Sequence, residues 1–282
     1  MKTAKIILSL VLCVAMMTVL CVPFASAEKK DDTSEFVLVN GLEAIKEKGV
    51  LTVGLMAAIP PYEFHYIDDK GNDEIIGSDI ELIKAISEAL GVDYEIKDME
   101  FSGLLAALQV GKIDMIVSSM APTLERQEAA DFSDVYYECD YYITIHKDDK
   151  DKIVTADDLK DKVIGVQATS TMEIIVDEQI PQAQKKQIIN ASDLTVELNA
   201  KKVDGIITDV DTAKLYCRAN PDLYMTAISY EAHGDALGAA IAMPKGTDQE
   251  VKDIINGVIQ DLRPQIKEWV GEYIELVDVE NF

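Results

Sequence analysis

Between residues 51 and 117, apolar runs of strand length alternate with stretches whose apolar residues recur at helical spacing, and this alternation restricts the fold more than any other feature. Residues 51–55, 94–96 and 113–117 read as strands. Between the first two, Ile80, Ile83, Ile86 and Leu90 share a helical face, with Ser78 or Asp79 as the predicted cap and Gly91 as the stop. Residues 101–110 make a second helix, which Gly111 ends. Strands joined through helices run parallel, so the order β-α-β-α-β predicts one open parallel sheet with helices on its faces. Ligands of such sheets sit beyond the carboxyl ends of the strands.

The pattern then repeats. Strands are expected at 142–145, 163–166, near Ile188 and at 206–208, with helices from about Thr171, Asp193 and Asp211. Residues 238–243 read as a further strand. Val251, Ile254, Ile255, Val258, Ile259 and Leu262 mark an amphipathic helix that should stop near Pro264, and Trp269 beyond it reads as a packing residue. Two α/β sets in one chain predict two lobes, and 48% hydrophobic residues suffice for a sizeable core.

The first 27 residues stand apart from this pattern. Lys2 and Lys5 precede an apolar run over 6–22, and Ala25-Ser26-Ala27 offers a small-residue cleavage site, the layout of a secretory signal peptide. Residues 28–40 then read as a flexible, acidic leader. An uncleaved anchor and lipid attachment at Cys21 are the alternatives; Leu20 is bulkier than the residue that usually precedes a lipidated cysteine. The expectation is soluble export to the periplasm or another extracytoplasmic space.

Charge narrows the partners. The chain has 26 Lys and Arg against 51 Asp and Glu, a formal charge of −25, and loss of Lys2 and Lys5 makes it more acidic still. Nucleic acid and anionic membrane surfaces are therefore disfavoured, whereas a zwitterion is not. Cys13 and Cys21 leave with the signal; Cys139 and Cys217 could pair after export, though two buried thiols are the preferred reading. His65, His146 and His233 fall in no triad or metal spacing, and no Gly-rich phosphate loop or zinc motif occurs, so no cofactor or metal is expected.

The chemistry concentrates in the run 108–137, LQVGKIDMIVSSMAPTLERQEAADFSDVYY. A strand feeds Ser118, Ser119 and Pro122, and Thr123-Leu124-Glu125-Arg126 then begins a helix. Such a turn gathers backbone N–H groups, hydroxyls and a planar guanidinium about one point, which suits a carboxylate. Ser170 and Thr171 fall at another helix start, where N-capping and anion binding are compatible roles. Asp209 closes the strand Ile206-Ile207-Thr208 and reads either as a helix cap or as the partner of an ammonium.

Residues 49–64 (GVLTVGLMAAIPPYEF), 77–91 (GSDIELIKAISEALG), 101–137, 158–173 (DLKDKVIGVQATSTME) and 203–209 (VDGIITD) resemble, in order and spacing, successive blocks of the extracytoplasmic solute-binding proteins of polar amino-acid ABC transporters. The resemblance covers nearly all the chain after residue 40. It implies a type II periplasmic-binding-protein fold of the Venus flytrap kind, each lobe an open sheet flanked by helices. Lobe 1 would take 41–137 and 238–282 and lobe 2 would take 141–229, with crossings near 136–140 and 230–235. It also implies a monomer that binds a free α-amino acid and presents it to an ABC transporter permease.

By the same resemblance, Arg126 takes the ligand carboxylate with backbone and hydroxyl donors at Ser119, Ser118 beside it counts among the site residues, Ser170 and Thr171 face it from lobe 2, and Asp209 takes the ammonium. Phe101 and Ile59 stand where relatives place aromatics against the ligand side chain, and Met56 where several carry an aspartate. Those departures favour a side chain of neutral or mixed character, with Gln167 and Glu63 supplying polarity. Ala121 stands where the family often has Ser or Thr, so one hydroxyl donor is missing. Lobes that each hold part of the ligand are joined by it, so binding draws the open form toward the closed one.

Two other functions fit the same scaffold. Cyclohexadienyl dehydratases resemble this family and use a glutamate soon after the second-lobe anion turn as general acid, a place held here by Glu173. A ligand-sensing module for a separate receptor is the third class. The expectation is a binder and not an enzyme, with Glu173 as a helix N-terminal acid.

Overall fold

A computed structural model describes residues 40–68, 70–138, 140–231 and 238–276. The expected signal peptide, nearly all of the leader, Cys13, Cys21, Cys139, His233, all but the first two residues of the second crossing and residues 277–282 lie outside the described residues.

Thirteen strands are described: β1 (Val50–Leu55), β2 (Ala58–Ile59), β3 (Glu63–Ile67), β4 (Asp73–Ile76), β5 (Asp93–Asp98), β6 (Met115–Ile116), β7 (Ala130–Phe132), β8 (Tyr141–His146), β9 (Val163–Gln167), β10 (Gln184–Ile188), β11 (Gly205–Asp209), β12 (Leu223–Tyr230) and β13 (Ala242–Pro244). They form two five-stranded sheets, β5-β1-β6-β13-β7 and β10-β9-β11-β8-β12, and a small sheet β2-β3-β4. The chain has the two-lobed architecture expected of its alternating pattern, each large sheet flanked by helices.

Neither large sheet is purely parallel. β1 runs parallel to β5 and β6, with Val53 opposite Ile96 and Met115, but β13 is antiparallel to both of its neighbours, β6 and β7. In the second sheet β9 pairs parallel with β10 and β11, and β8 and β12 are antiparallel. The parallel centre follows from β1 itself, buried without interruption from Leu51 to Leu55, as a strand covered on both faces must be. The expected strand 238–243 is shorter, confined to β13 with a bridge from Ala239 to Tyr137, and the helix expected over 101–110 begins as a 3-10 turn at Phe101–Gly103.

Two helix ends differ from expectation. The helix Ser78–Leu90 is capped by neither Ser78 nor Asp79. Its first N–H groups reach the carbonyls of Pro61 and Tyr62, at 3.2 Å from Ser78 and 2.9 Å from Asp79. That approach requires Gly77, whose φ is 135° and whose Cβ, if present, would lie 2.0 Å from the Tyr62 carbonyl oxygen.

The helix Gln249–Leu276 runs through Pro264 instead of stopping there. Pro264 and Gln260, whose carbonyl loses its partner, are both exposed, so water can satisfy that carbonyl. Beyond the proline, Ile266 and Val270 are buried, each contributing about 1.5–3 kcal/mol. Together they offset the ~3 kcal/mol that an interior proline costs. Trp269 packs against the same core as Ile255 and Ile259.

Candidate ligand-binding site

The carboxyl ends of β6, β9 and β11 converge on a cleft with a cavity volume of about 60 Å³. From the first sheet's side it is lined by Ile59, Phe101, Ser118, Ser119, Ala121 and Arg126, and from the second sheet's side by Gln167, Ser170, Thr171 and Asp209. Of the predicted residues, Glu63 does not line it, and neither does Met56. Met56 is buried behind the wall, where its sulfur accepts from Gln167 Nε2 at 3.6 Å.

Arg126 lies in the helix Leu124–Ala129, which Thr123 caps by accepting the Arg126 N–H through Oγ1 at 3.3 Å. One guanidinium nitrogen donates to the Ala121 carbonyl and the other to the Thr169 carbonyl, each at 2.8 Å. The Arg126 Cζ stands 5.4 Å from the centroid of the Phe101 ring, a cation–π contact. With 9% of its surface exposed, the group is desolvated, and burial lowers its pKa to about 10, so it stays charged at neutral pH. Among the described residues no carboxylate pairs with it. A buried cation left so is costly, and a ligand anion removes the cost.

Asp209 is the converse. It caps the helix Val210–Ala219, its Oδ1 accepting from the N–H groups of Asp211 at 3.0 Å and Thr212 at 2.9 Å. The same oxygen accepts from the Tyr62 hydroxyl at 2.7 Å. Burial raises its pKa, and no lysine or arginine among the described residues pairs with it. Capping and facing the cleft are therefore combined in one side chain.

The hydroxyls are differently committed than the sequence suggests. Ser118 Oγ accepts from the Met56 N–H at 3.1 Å and donates to Glu63 Oε1 at 2.9 Å, which holds the wall together. Ser119 adopts φ 47°, and its N–H is taken by Asp79 and the Tyr136 hydroxyl, so the expected backbone donor there is occupied. Its own hydroxyl is buried without a partner beside the cleft. Ser170 occupies the N-cap position of the helix Thr171–Gln179, yet its hydroxyl turns back to the Gln167 carbonyl at 2.6 Å. Thr171 Oγ1 lies 3.4 Å from the Tyr141 hydroxyl. Glu63, expected to lend polarity to the ligand, faces Ser118 and Asp79 inside the wall.

Glu173 is saturated away from the cleft. Its carboxylate accepts from the Thr169 N–H and from Gln187 Nε2 at 2.7 Å, and pairs with Lys185 at 3.2 Å. It thereby fixes the turn whose Thr169 carbonyl receives Arg126.

Sequence reasoning missed the tyrosines. Tyr62, Tyr137 and Tyr141 line the cleft, Tyr137 donating to Asp211 Oδ2 at 2.6 Å and packing edge-on against Tyr62 with ring centroids 5.7 Å apart. No periodicity marks them, because they sit on connections and strand ends; the dipeptide Pro60-Pro61 before Tyr62 was the available cue to a rigid turn. Thr212 Oγ1 also donates to the Pro60 carbonyl at 3.0 Å, so several contacts join the two sides of the cleft. Among the described residues no helix is long and apolar enough to cross a membrane.

Residues 51–274 match the profile of the bacterial extracellular solute-binding proteins, family 3. The arginine-binding extracellular protein ArtP of Bacillus subtilis is 34% identical over 79% of this chain and 84% of its own length. A probable histidine-binding protein of Campylobacter jejuni is 30% identical over 76% of this chain and 79% of its own. Among solved structures, the amino acid ABC transporter substrate-binding protein AbpA from Streptococcus pneumoniae, bound to L-arginine, superposes with a TM-score of 0.77 at 31% identity, covering 83% of this chain and 98% of that one.

Proposed function

Since the chain belongs to the bacterial extracellular solute-binding proteins of family 3, we propose that it is an exported monomer that holds a free α-amino acid in the cleft and delivers it to an ABC permease. One observation carries the reading. Among the described residues, a buried guanidinium without a carboxylate, Arg126, and a buried carboxylate without a cation, Asp209, line one cavity. A zwitterion supplies both missing partners, its carboxylate to Arg126 and its ammonium to Asp209. Ser119 Oγ and Thr171 complete the carboxylate's shell, and Phe101 and Ile59 meet the side chain.

The lobes divide as 41–137 with 238–282, and 141–229. The ligand bridges them, so its differential affinity for the closed form drives closure, and the permease reads that form. Asp209 is the one carboxylate lining the cleft among the described residues, and the ligand ammonium uses it. A neutral or mixed side chain therefore fits better than a second cation, although relatives include arginine and histidine binders. The saturation of Glu173 supports binding without turnover. Calorimetric titration with each of the twenty amino acids tests the proposal: saturable one-to-one binding of at least one is expected, and binding of none overturns it.

A further inference from the structure

Behind the cleft wall lie two carboxyls that ligand binding does not use. Glu63 in β3 and Asp79 in the helix Ser78–Leu90 each have 0% of their surface exposed. Glu63 Oε1 accepts from Ser118 Oγ at 2.9 Å, and Asp79 Oδ2 accepts from the Tyr136 hydroxyl at 2.7 Å and the Ser119 N–H at 3.1 Å. The remaining oxygens, Glu63 Oε2 and Asp79 Oδ1, are buried and receive no donor. The two acids share this buried space, close enough for the charge of Asp79 to act on Glu63.

Two acceptors can bond only if one of them carries a hydrogen. A bare carboxylate pair in this environment would add charge repulsion to the desolvation of both groups. One shared proton satisfies both orphaned oxygens and leaves a single negative charge, which the Tyr136 hydroxyl and the Ser119 N–H solvate. We propose that Glu63 is a protonated carboxylic acid at neutral pH that donates to Asp79, and that this acid pair is a positioning element for the carboxylate-binding turn and the first crossing.

The surroundings agree. Burial, then the charge of Asp79, pushes Glu63 well above the usual carboxylate range, and Asp209 from the end of β11 pushes it the same way. At the start of the first crossing, the Tyr136 phenol is raised by burial and remains a donor. Ser118 supplies a hydroxyl, and no lysine or arginine among the described residues bonds either acid. The proton thus anchors Asp79, Asp79 anchors the left-handed Ser119, and Tyr136 adjoins the cleft-lining Tyr137. The positioning role rests on the amino-acid cleft of the preceding subsection; the shared proton does not.

Infrared spectroscopy of the ligand-free protein in heavy water decides the point. The carbonyl stretch of a protonated carboxylic acid is expected at neutral pH, lost in Glu63→Gln and shifted or lost in Asp79→Asn. Glutamine still donates to Asp79, so Glu63→Gln should fold, and its thermal midpoint should not share the wild-type decline with pH. The sign follows from the raised pKa: the folded chain holds a proton that the unfolded chain releases near pH ~4.3, so wild-type stability falls from there up to the folded pKa of Glu63. If Glu63→Gln fails to fold, the wild-type band, its alkaline disappearance and the Asp79→Asn spectrum still decide. Absence of the band at neutral pH, or a band unmoved by Asp79→Asn, overturns the proposal.

Discussion

The Tyr62 hydroxyl donates to Asp209 Oδ1 at 2.7 Å, from the turn between β2 and β3 to the end of β11. That oxygen also receives two N–H groups of the following helix, so one atom is held from both sides of the cleft. A carboxylate held by its own helix cap before the ligand arrives loses little entropy on binding an ammonium.

The helix cap at Asp209 and its proposed ammonium contact are separable. Asn in its place keeps an acceptor for the helix cap but loses the charge. Asp209→Asn should weaken binding of whichever amino acid titrates by about 2–5 kcal/mol with little change in thermal midpoint. Asp209→Ala should add a stability loss of about 1 kcal/mol from the missing cap. Calorimetry and thermal unfolding read the two effects apart, and full affinity in the Asn variant would remove Asp209 from the ammonium site.

Arg126 tests the opposite pole. Its fork spans the carbonyls of Ala121 and Thr169 while lying against Phe101, a geometry that an ammonium on a flexible stem does not reproduce. Arg126→Lys should lose about 2–5 kcal/mol of ligand affinity although the charge is kept, with Arg126→Ala no better. If lysine supports wild-type affinity in the same titration, planar recognition of a carboxylate is not what Arg126 provides.

Tyr62→Phe removes one neutral donor across the cleft and keeps the ring against Tyr137. The contact exists only with the two sides together, so its loss should appear in ligand dissociation. A net hydrogen bond of about 0.5–1.5 kcal/mol predicts a several-fold faster off-rate, up to roughly tenfold. Stopped-flow displacement measures it, and an unchanged off-rate would mean that the bond does not contribute to closure.

The sequence was most legible where one force dominates. Leu51–Leu55 and the row Ile80, Ile83, Ile86, Leu90 are shaped by burial alone, and β1 and the helix Ser78–Leu90 lie where periodicity puts them. It was least legible where backbone carbonyls replace side chains. Neither the capping of Ser78 and Asp79 by Pro61 and Tyr62 nor the bond from Arg126 to Thr169 leaves a residue-type signature. Pro264 misled for a related reason: its local cost is plain in sequence, whereas the burial of Ile266 and Val270 that offsets it is a tertiary property. The cleft-lining Arg126 and Asp209 were visible as strand-end chemistry, but the diversion of the Ser118, Ser119 and Ser170 donors into the wall was not.

Gly77 links fold to site. An alanine there would put Cβ 2.0 Å from the Tyr62 oxygen and 2.4 Å from its carbonyl carbon, both backbone atoms, at a φ of 135°. Either the helix start or the Tyr62 segment must move, and a loss of stability on the order of 3 kcal/mol or more is expected. Gly49→Ala is the matched control, because its φ is 72° but nothing lies within 4 Å, so only about 1 kcal/mol of conformational cost applies. Thermal unfolding compares the two. The same displacement should carry Tyr62 away from Asp209, so Gly77→Ala should also speed ligand release, and adding Tyr62→Phe should speed it little further. Fully additive off-rates would show that Gly77 serves the fold without setting the tyrosine.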